Sequence, residues 1–160
     1  MHSLMTGPSL SELAQRRLAG PVVQADADHL PFADGSFDVT TAVTLCEFTV
    51  SAEVTIAELA RVSRPGGQLV IGVLNPRSLW GLGNRSQFGS PPWSGAKWLS
   101  EGALRQIGSR YGDVETVTVL YAPRAAPGLR WLGFLAERIG HVVAPHHGAF
   151  IVARIQRNTT

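Results

Sequence analysis

The sequence predicts an α/β fold: a mostly parallel sheet with an antiparallel strand at its edge. Three observations carry that expectation. Helical and strand patterns alternate along the 160 residues, with helical spacings of roughly 10–15 residues between strands. Phe37–Val43 and Gln68–Leu74 are β-branched and apolar without clean alternation, which is how strands covered on both faces read. Turn signals (Gly20-Pro21, Asp34-Gly35, Pro65-Gly66-Gly67) separate the periodic stretches.

The elements follow in order. Ser9-Leu-Ser-Glu12 is a capping box, with Leu10, Leu13, Ala14 and Leu18 on one helical face, and Gly20-Pro21 stops that helix. Pro21–Ala25 is a short apolar run expected as a strand. Pro31 and Asp34-Gly35 mark a turn before the strand Phe37–Val43. Ser51 caps a second helix with Ile56, Leu59 and Ala60 inward, and Pro65-Gly66-Gly67 leads into the strand Gln68–Leu74. From Asn75 to about residue 99 the pattern dissolves into a Gly/Ser/Pro-rich stretch holding Trp80, Trp93 and Trp98. Ser100-Glu101 opens a further helix with Leu104, Ile107 and Tyr111 on one side. Glu115–Tyr121 reads as a strand, 129–140 as a helix and 148–155 as a final strand, the last two strands pairing antiparallel at the sheet edge.

Composition narrows the function classes. The chain is long enough for one domain with its own core. It carries 44% hydrophobic and 16% charged residues, which argues against disorder. The net charge is +2 with no dense basic run, so nucleic acid is not the expected partner. Cys46 is the single cysteine, which excludes an intrachain disulfide or a cysteine-built zinc site. No apolar run approaches the ~20 residues of a membrane span, and Met1–Thr6 lacks the charged head and apolar run of a signal peptide. A reducing cytoplasm is the expected location. Adjacent His146-His147, with no acid nearby in sequence, is a weak pattern for a metal, and none is expected.

Two blocks, Asp26-Ala-Asp-His-Leu-Pro-Phe-Ala-Asp-Gly-Ser-Phe-Asp-Val39 and Ala60-Arg-Val-Ser-Arg-Pro-Gly-Gly-Gln-Leu-Val70, carry more than composition does. In order and spacing they resemble the second half of a class I S-adenosylmethionine-dependent methyltransferase of the small-molecule group (methyltransferase type 11-like). The resemblance is strong over residues 9–74 and a matter of pattern over 100–155. It implies a Rossmann-like sheet with strand order 3-2-1-4-5-7-6 and strand 7 antiparallel, of which this chain supplies strands 3 to 7. It also implies a single, partial methyltransferase-like domain over 1–160, S-adenosylmethionine as cofactor and a small-molecule substrate.

The resemblance also places candidate residues. Ligands of open α/β sheets sit beyond the carboxyl ends of the strands. There Asp26 would accept from the adenine amino group, the Ala27 N–H would face a ring nitrogen, and Leu30 would wall the purine. The alternative for Asp26 is a turn cap. Thr44, Leu45 and Glu47, at the tip of the Phe37–Val43 strand, would lie against the cofactor's amino-acid part. Relatives often have His after that acid; Phe48 stands there instead. Cys46 reads as a packed residue. The 75–99 stretch falls where the substrate mouth is built, with Trp80, Trp93 and Trp98 either stacking on substrate or packing the loop onto the body. No catalytic residue is nominated, because methyl transfer from a sulfonium needs positioning and desolvation before it needs a base.

The Gly-x-Gly-x-Gly loop of the first half is missing from these residues, so the domain reads as N-terminally truncated. Three explanations stand open: a longer protein, a second chain or copy completing the sheet at an open strand edge, or a shortened non-catalytic module acting in binding or dimerisation. A different nucleotide-binding α/β protein is the third class of function, and the lack of a phosphate-loop motif argues against it.

Overall fold

The computed structural model describes residues 20–78, 93–120 and 146–159. The expected helices over 9–18 and 129–140, and Trp80, lie outside them. Within the described residues the order is β1 (Phe37–Val43), α1 (Ala52–Val62), β2 (Ser63–Leu74), a 3₁₀ turn (Trp93–Gly95), α2 (Glu101–Gly108), β3 (Gly112–Val119) and β4 (Phe150–Arg157).

The sheet runs β1-β2-β4-β3. β1 and β2 are parallel, and β4 is antiparallel to both β2 and β3. Three of the four strands therefore point the same way. The reversed strand belongs to the last pair, as expected, but lies one place in from the edge that β3 forms. This is the 4-5-7-6 portion of the order implied by the resemblance.

Local chemistry explains the elements. Ser51 is the N-cap of α1, and its side chain accepts from the Val54 N–H. Ile56, Leu59 and Ala60 fall at helical spacing and are buried. Full burial of a side chain such as Ile56 contributes about 1.5–3 kcal/mol. Ser100 caps α2 in the same way, accepting from Ala103, and Leu104 and Ile107 point inward. These helical side chains join Leu69, Ile71 and Val73 of β2 and Ile151, Ala153 and Ile155 of β4 in one core cluster.

Glycines sit where the backbone requires them. Gly35 at φ +66° completes the Asp34-Gly35 turn and donates to the Arg61 carbonyl at 2.9 Å. Gly67 passes so close to β1 that a Cβ there would lie 2.8 Å from both the Arg64 and Asp38 carbonyl oxygens. β2 starts earlier than expected, because Ser63 already pairs with Phe37 and the Pro65-Gly66-Gly67 segment is absorbed as an irregularity in the ladder.

Two expectations change. Pro21–Ala25 is not a strand, and four of its five residues are exposed. A strand needs a ladder partner, and none of the described residues offers one at that position. β1 is covered on one face only: Thr40 and Ala42 are buried, while Val39 and Val43 remain 53% and 62% exposed. Its outer edge has no partner strand among the described residues.

Candidate functional site

The carboxyl ends of β1 and β2 form the side of the sheet where chemistry-bearing residues gather. At the tip of β1 the chain turns sharply. Thr44 has φ +50°, a conformation a β-branched residue adopts at a cost of about 1–3 kcal/mol. Its N–H donates to the Gly72 carbonyl at 2.9 Å, and its hydroxyl donates to the Val43 carbonyl at 2.8 Å. Strain of this kind is retained where the surroundings over-determine it, which marks the tip as a place to look for function.

The candidate residues of that tip divide. Leu45 is partly buried and packs on the core. Cys46 is buried, and burial together with the nearby Glu47 and Asp28 carboxylates pushes its thiol up to about 11, so it is a packed thiol rather than a nucleophile. Glu47 is fully buried. One carboxylate oxygen accepts from the Leu74 N–H at 2.8 Å, tying the tip of β1 to the end of β2. The other, Oε2, has no hydrogen-bond partner among the described residues. Desolvation raises its pKa above the usual carboxylate range.

The Asp26–Leu30 segment forms a turn beside this tip. Asp26 Oδ1 accepts from the Asp28 N–H at 3.0 Å, and the Asp26 carbonyl accepts from the His29 N–H at 3.1 Å. The turn-capping geometry is therefore present. Asp26 Oδ2 faces solvent, with His29 Nδ1 3.7 Å away. Asp28 anchors the turn to α1, where Thr55 donates to its Oδ1 at 2.6 Å. Leu30 packs on the core, and its N–H donates to Glu58 at 2.8 Å.

Arg61 fastens the rest of the loop. It donates to the Leu30 and Phe32 carbonyls and to the Asp34 and Glu58 carboxylates. The Arg61 guanidinium holds the Glu58 carboxyl down to about 2.

The aromatic stretch splits in two. The Trp93 ring lies 5.7 Å from the Phe48 ring, and the Lys97 N–H donates to the Glu47 carbonyl at 2.7 Å. This part is packed onto the β1 tip. Trp98 instead lines a cavity of about 630 Å³ at the carboxyl end of β2, with Asn75, Arg77, Glu101, Arg105, Thr118 and His146. The sequence reading nominated Trp98 and the 75–99 stretch for the substrate side, but not the Glu101, Arg105 and His146 wall of this cavity. Glu101 was legible only as a helix opener, and His146 stood without an acid because the acid is 45 positions away. Asn75 after β2 was the available signal: it bonds the His146 and Gly148 carbonyls at 2.9 and 2.8 Å and closes the cavity floor.

Known proteins match this arrangement. The family model described as a methyltransferase domain matches residues 4–71. An uncharacterized methyltransferase of Mycolicibacterium gilvum is 33% identical over 118 residues, 71% of this chain and 43% of that protein. A demethylmenaquinone methyltransferase of Beutenbergia cavernae is 35% identical over 85 residues, 53% of this chain and 30% of that protein. The chain thus spans less than half the length of these relatives. Among solved structures, a SAM-dependent methyltransferase of Thermotoga maritima, titled a possible histamine N-methyltransferase, superposes with TM-score 0.71 at 21% identity, covering 92% of this chain and 69% of that one. A putative Haloferax volcanii methyltransferase, solved with the activator Trm112, gives 0.67 at 16% identity, covering 94% and 69%. These two likenesses establish the fold.

Proposed function

We propose, from the methyltransferase-domain match over residues 4–71 and the 33–35% identity to methyltransferases, that this chain is of the class I S-adenosylmethionine-dependent methyltransferase family and transfers the methyl group of S-adenosylmethionine to a small-molecule acceptor. The supporting observation is the strained Thr44 tip at the carboxyl end of β1, with the Asp26–Leu30 turn anchored to α1 and a cavity lined by Glu101, Arg77, Arg105 and Trp98 at the end of β2.

The residues present fit an adenosyl group. Asp26 keeps a solvent-facing carboxylate oxygen for the adenine amino group, beside the Ala27 backbone. Leu30 and Leu45 offer half-buried apolar surface. Thr44 and Leu45 would meet the amino-acid end, while Glu47 holds the tip through Leu74. Trp98, in the cavity wall, belongs to the acceptor side of this reading, whereas Trp93 packs on Phe48 and Trp80 lies outside the described residues. When bound, the cofactor supplies an electrophilic methyl on a sulfonium. The chain's own residues orient the acceptor and exclude water.

Calorimetry of the 160-residue chain with S-adenosylmethionine tests the reading. Saturable heat at one site is expected. Absence of binding at millimolar cofactor would remove it.

One observation favours a second reading, a binding or dimerisation module. The outer edge of β1 has no partner strand among the described residues, its open face exposes Val39 and Val43, and an unpaired apolar strand promotes pairing with another chain. A homodimer or completing chain on that edge would appear by analytical ultracentrifugation as a species that the V39K/V43K double variant disperses.

A further inference from the structure

We infer that His146, oriented by Glu101, is the general base for an acceptor that carries a hydroxyl group on an aromatic ring. The inference rests on the methyl-transfer reading and names its acceptor class.

The pair is built from two sides. Glu101 Oε2 lies 3.2 Å from His146 Nδ1. The other carboxylate oxygen receives the Thr116 hydroxyl at 2.5 Å and the Arg105 guanidinium at 3.4 Å, so β3 and α2 both fix it. His146 is held through its carbonyl by Asn75. The Thr116 hydrogen bond, with His146 and Arg105 adding to it, keeps the Glu101 carboxyl below its ordinary range. An ionised carboxylate facing Nδ1 selects the tautomer with its proton there and leaves a lone pair on Nε2. Base and orienter in hydrogen-bond contact, in the wall of a cavity, is the arrangement that proton abstraction needs.

The chemistry selects the acceptor. A neutral hydroxyl must lose its proton as it gains a methyl. The O–H bond breaks, the proton passes to Nε2, and the electron pair stays on oxygen. That oxygen then forms the new bond to the methyl carbon, and the S–C bond breaks with its pair returning to sulfur. A phenol ionises at about 10, far more readily than an alkanol or bulk water. The same imidazole therefore ionises a bound phenol far more fully, ahead of methyl transfer, than it does an alkanol. The charged and titratable groups around His146 among the described residues are Glu101 and Arg105 from α2, Arg77 from the segment after β2, and the adjacent His147. β3 contributes the neutral Thr116 and Thr118. The two arginines favour the oxyanion, and Trp98 offers a planar wall.

The test is an optical titration of the 160-residue chain with 4-nitrophenol, in buffer below that phenol's own ionisation and without methyl donor. Growth of the 4-nitrophenolate band on binding is expected. His146→Gln should cut the ionised fraction by roughly tenfold or more, the equivalent of one pKa unit. Glu101→Gln should cut it by less, and His147→Gln should leave it unchanged. A bound probe that stays neutral, an unchanged band in His146→Gln, or no binding at millimolar probe would overturn the assignment. The readout is separate from methyl transfer. A chain that ionises the probe but binds no S-adenosylmethionine keeps the base and loses the proposed function; the opposite result removes the base alone.

Discussion

Replacing Glu47 with glutamine is expected to stabilise the protein at neutral pH and to change little in acid. Glu47 is fully buried, with one oxygen bonded to Leu74 and the other unpartnered among the described residues. Its folded pKa is therefore raised above the unfolded value of about 4.3. Between those two pKa values the native state binds more protons than the unfolded chain. Stability is then highest below the unfolded pKa and falls as pH rises through the folded one.

Glutamine keeps the acceptor for Leu74 and removes the charge. It places an amide where Oε2 now lacks a partner, at a cost of about 1–3 kcal/mol, less than that of an unpaired charge in the same place. The net gain at pH 7 should be about 1–2 kcal/mol, which for a chain of this length is about 3–6 °C in Tm. Near pH 4 and below, the wild-type carboxyl is neutral and carries the same orphan group, so the gain should vanish. Urea denaturation of both proteins at neutral and acidic pH gives the comparison through Cm. A variant less stable than wild type at pH 7, or one with an equal gain at both pH values, would refute the buried-charge account.

Gly67→Ala should destabilise by about 1–3 kcal/mol in thermal melts, because its Cβ would meet two backbone carbonyl oxygens at 2.8 Å and the ladder would have to shift. Arg61→Ala should leave the sheet intact but expose the 30–34 loop, which loses its Leu30 and Phe32 carbonyl anchors and its Asp34 carboxylate anchor; limited proteolysis would show new cleavage there. The stabilising effect of the Glu58–Arg61 pair should hold above the unfolded carboxylate pKa and be lost as pH falls toward about 2, an acid-side decline that Arg61→Ala should lack. Asp26→Ala should weaken S-adenosylmethionine binding by roughly tenfold, the loss of one charge-assisted hydrogen bond, as read by calorimetry. Ser51→Ala should cost about 1 kcal/mol, the loss of the α1 cap, measured by the same denaturation.

The sequence by itself determined what depends on neighbours along the chain. The β1 bounds at Phe37 and Val43, the Ser51 and Ser100 caps, the inward set Ile56, Leu59 and Ala60, and the Asp34-Gly35 turn all rest on steric and hydrogen-bond rules acting over a few residues. The ordered blocks from Asp26 to Val70 also carried the methyltransferase resemblance, and the methyltransferase-domain family model matches residues 4–71. Tertiary structure decided what depends on groups far apart in sequence. Pro21–Ala25 reads as a strand until it is seen to have no ladder partner among the described residues. The reversal of β4 was implied by the resemblance, but its residue-by-residue register between β2 and β3 was not. Glu47 looks like any acid at a strand end until the fold closes over it. Glu101 and His146 carry no signal as a pair, since 45 residues separate them. Local rules are short-ranged, whereas burial, pairing and proton affinity are set by whatever the folded chain brings within a few ångströms.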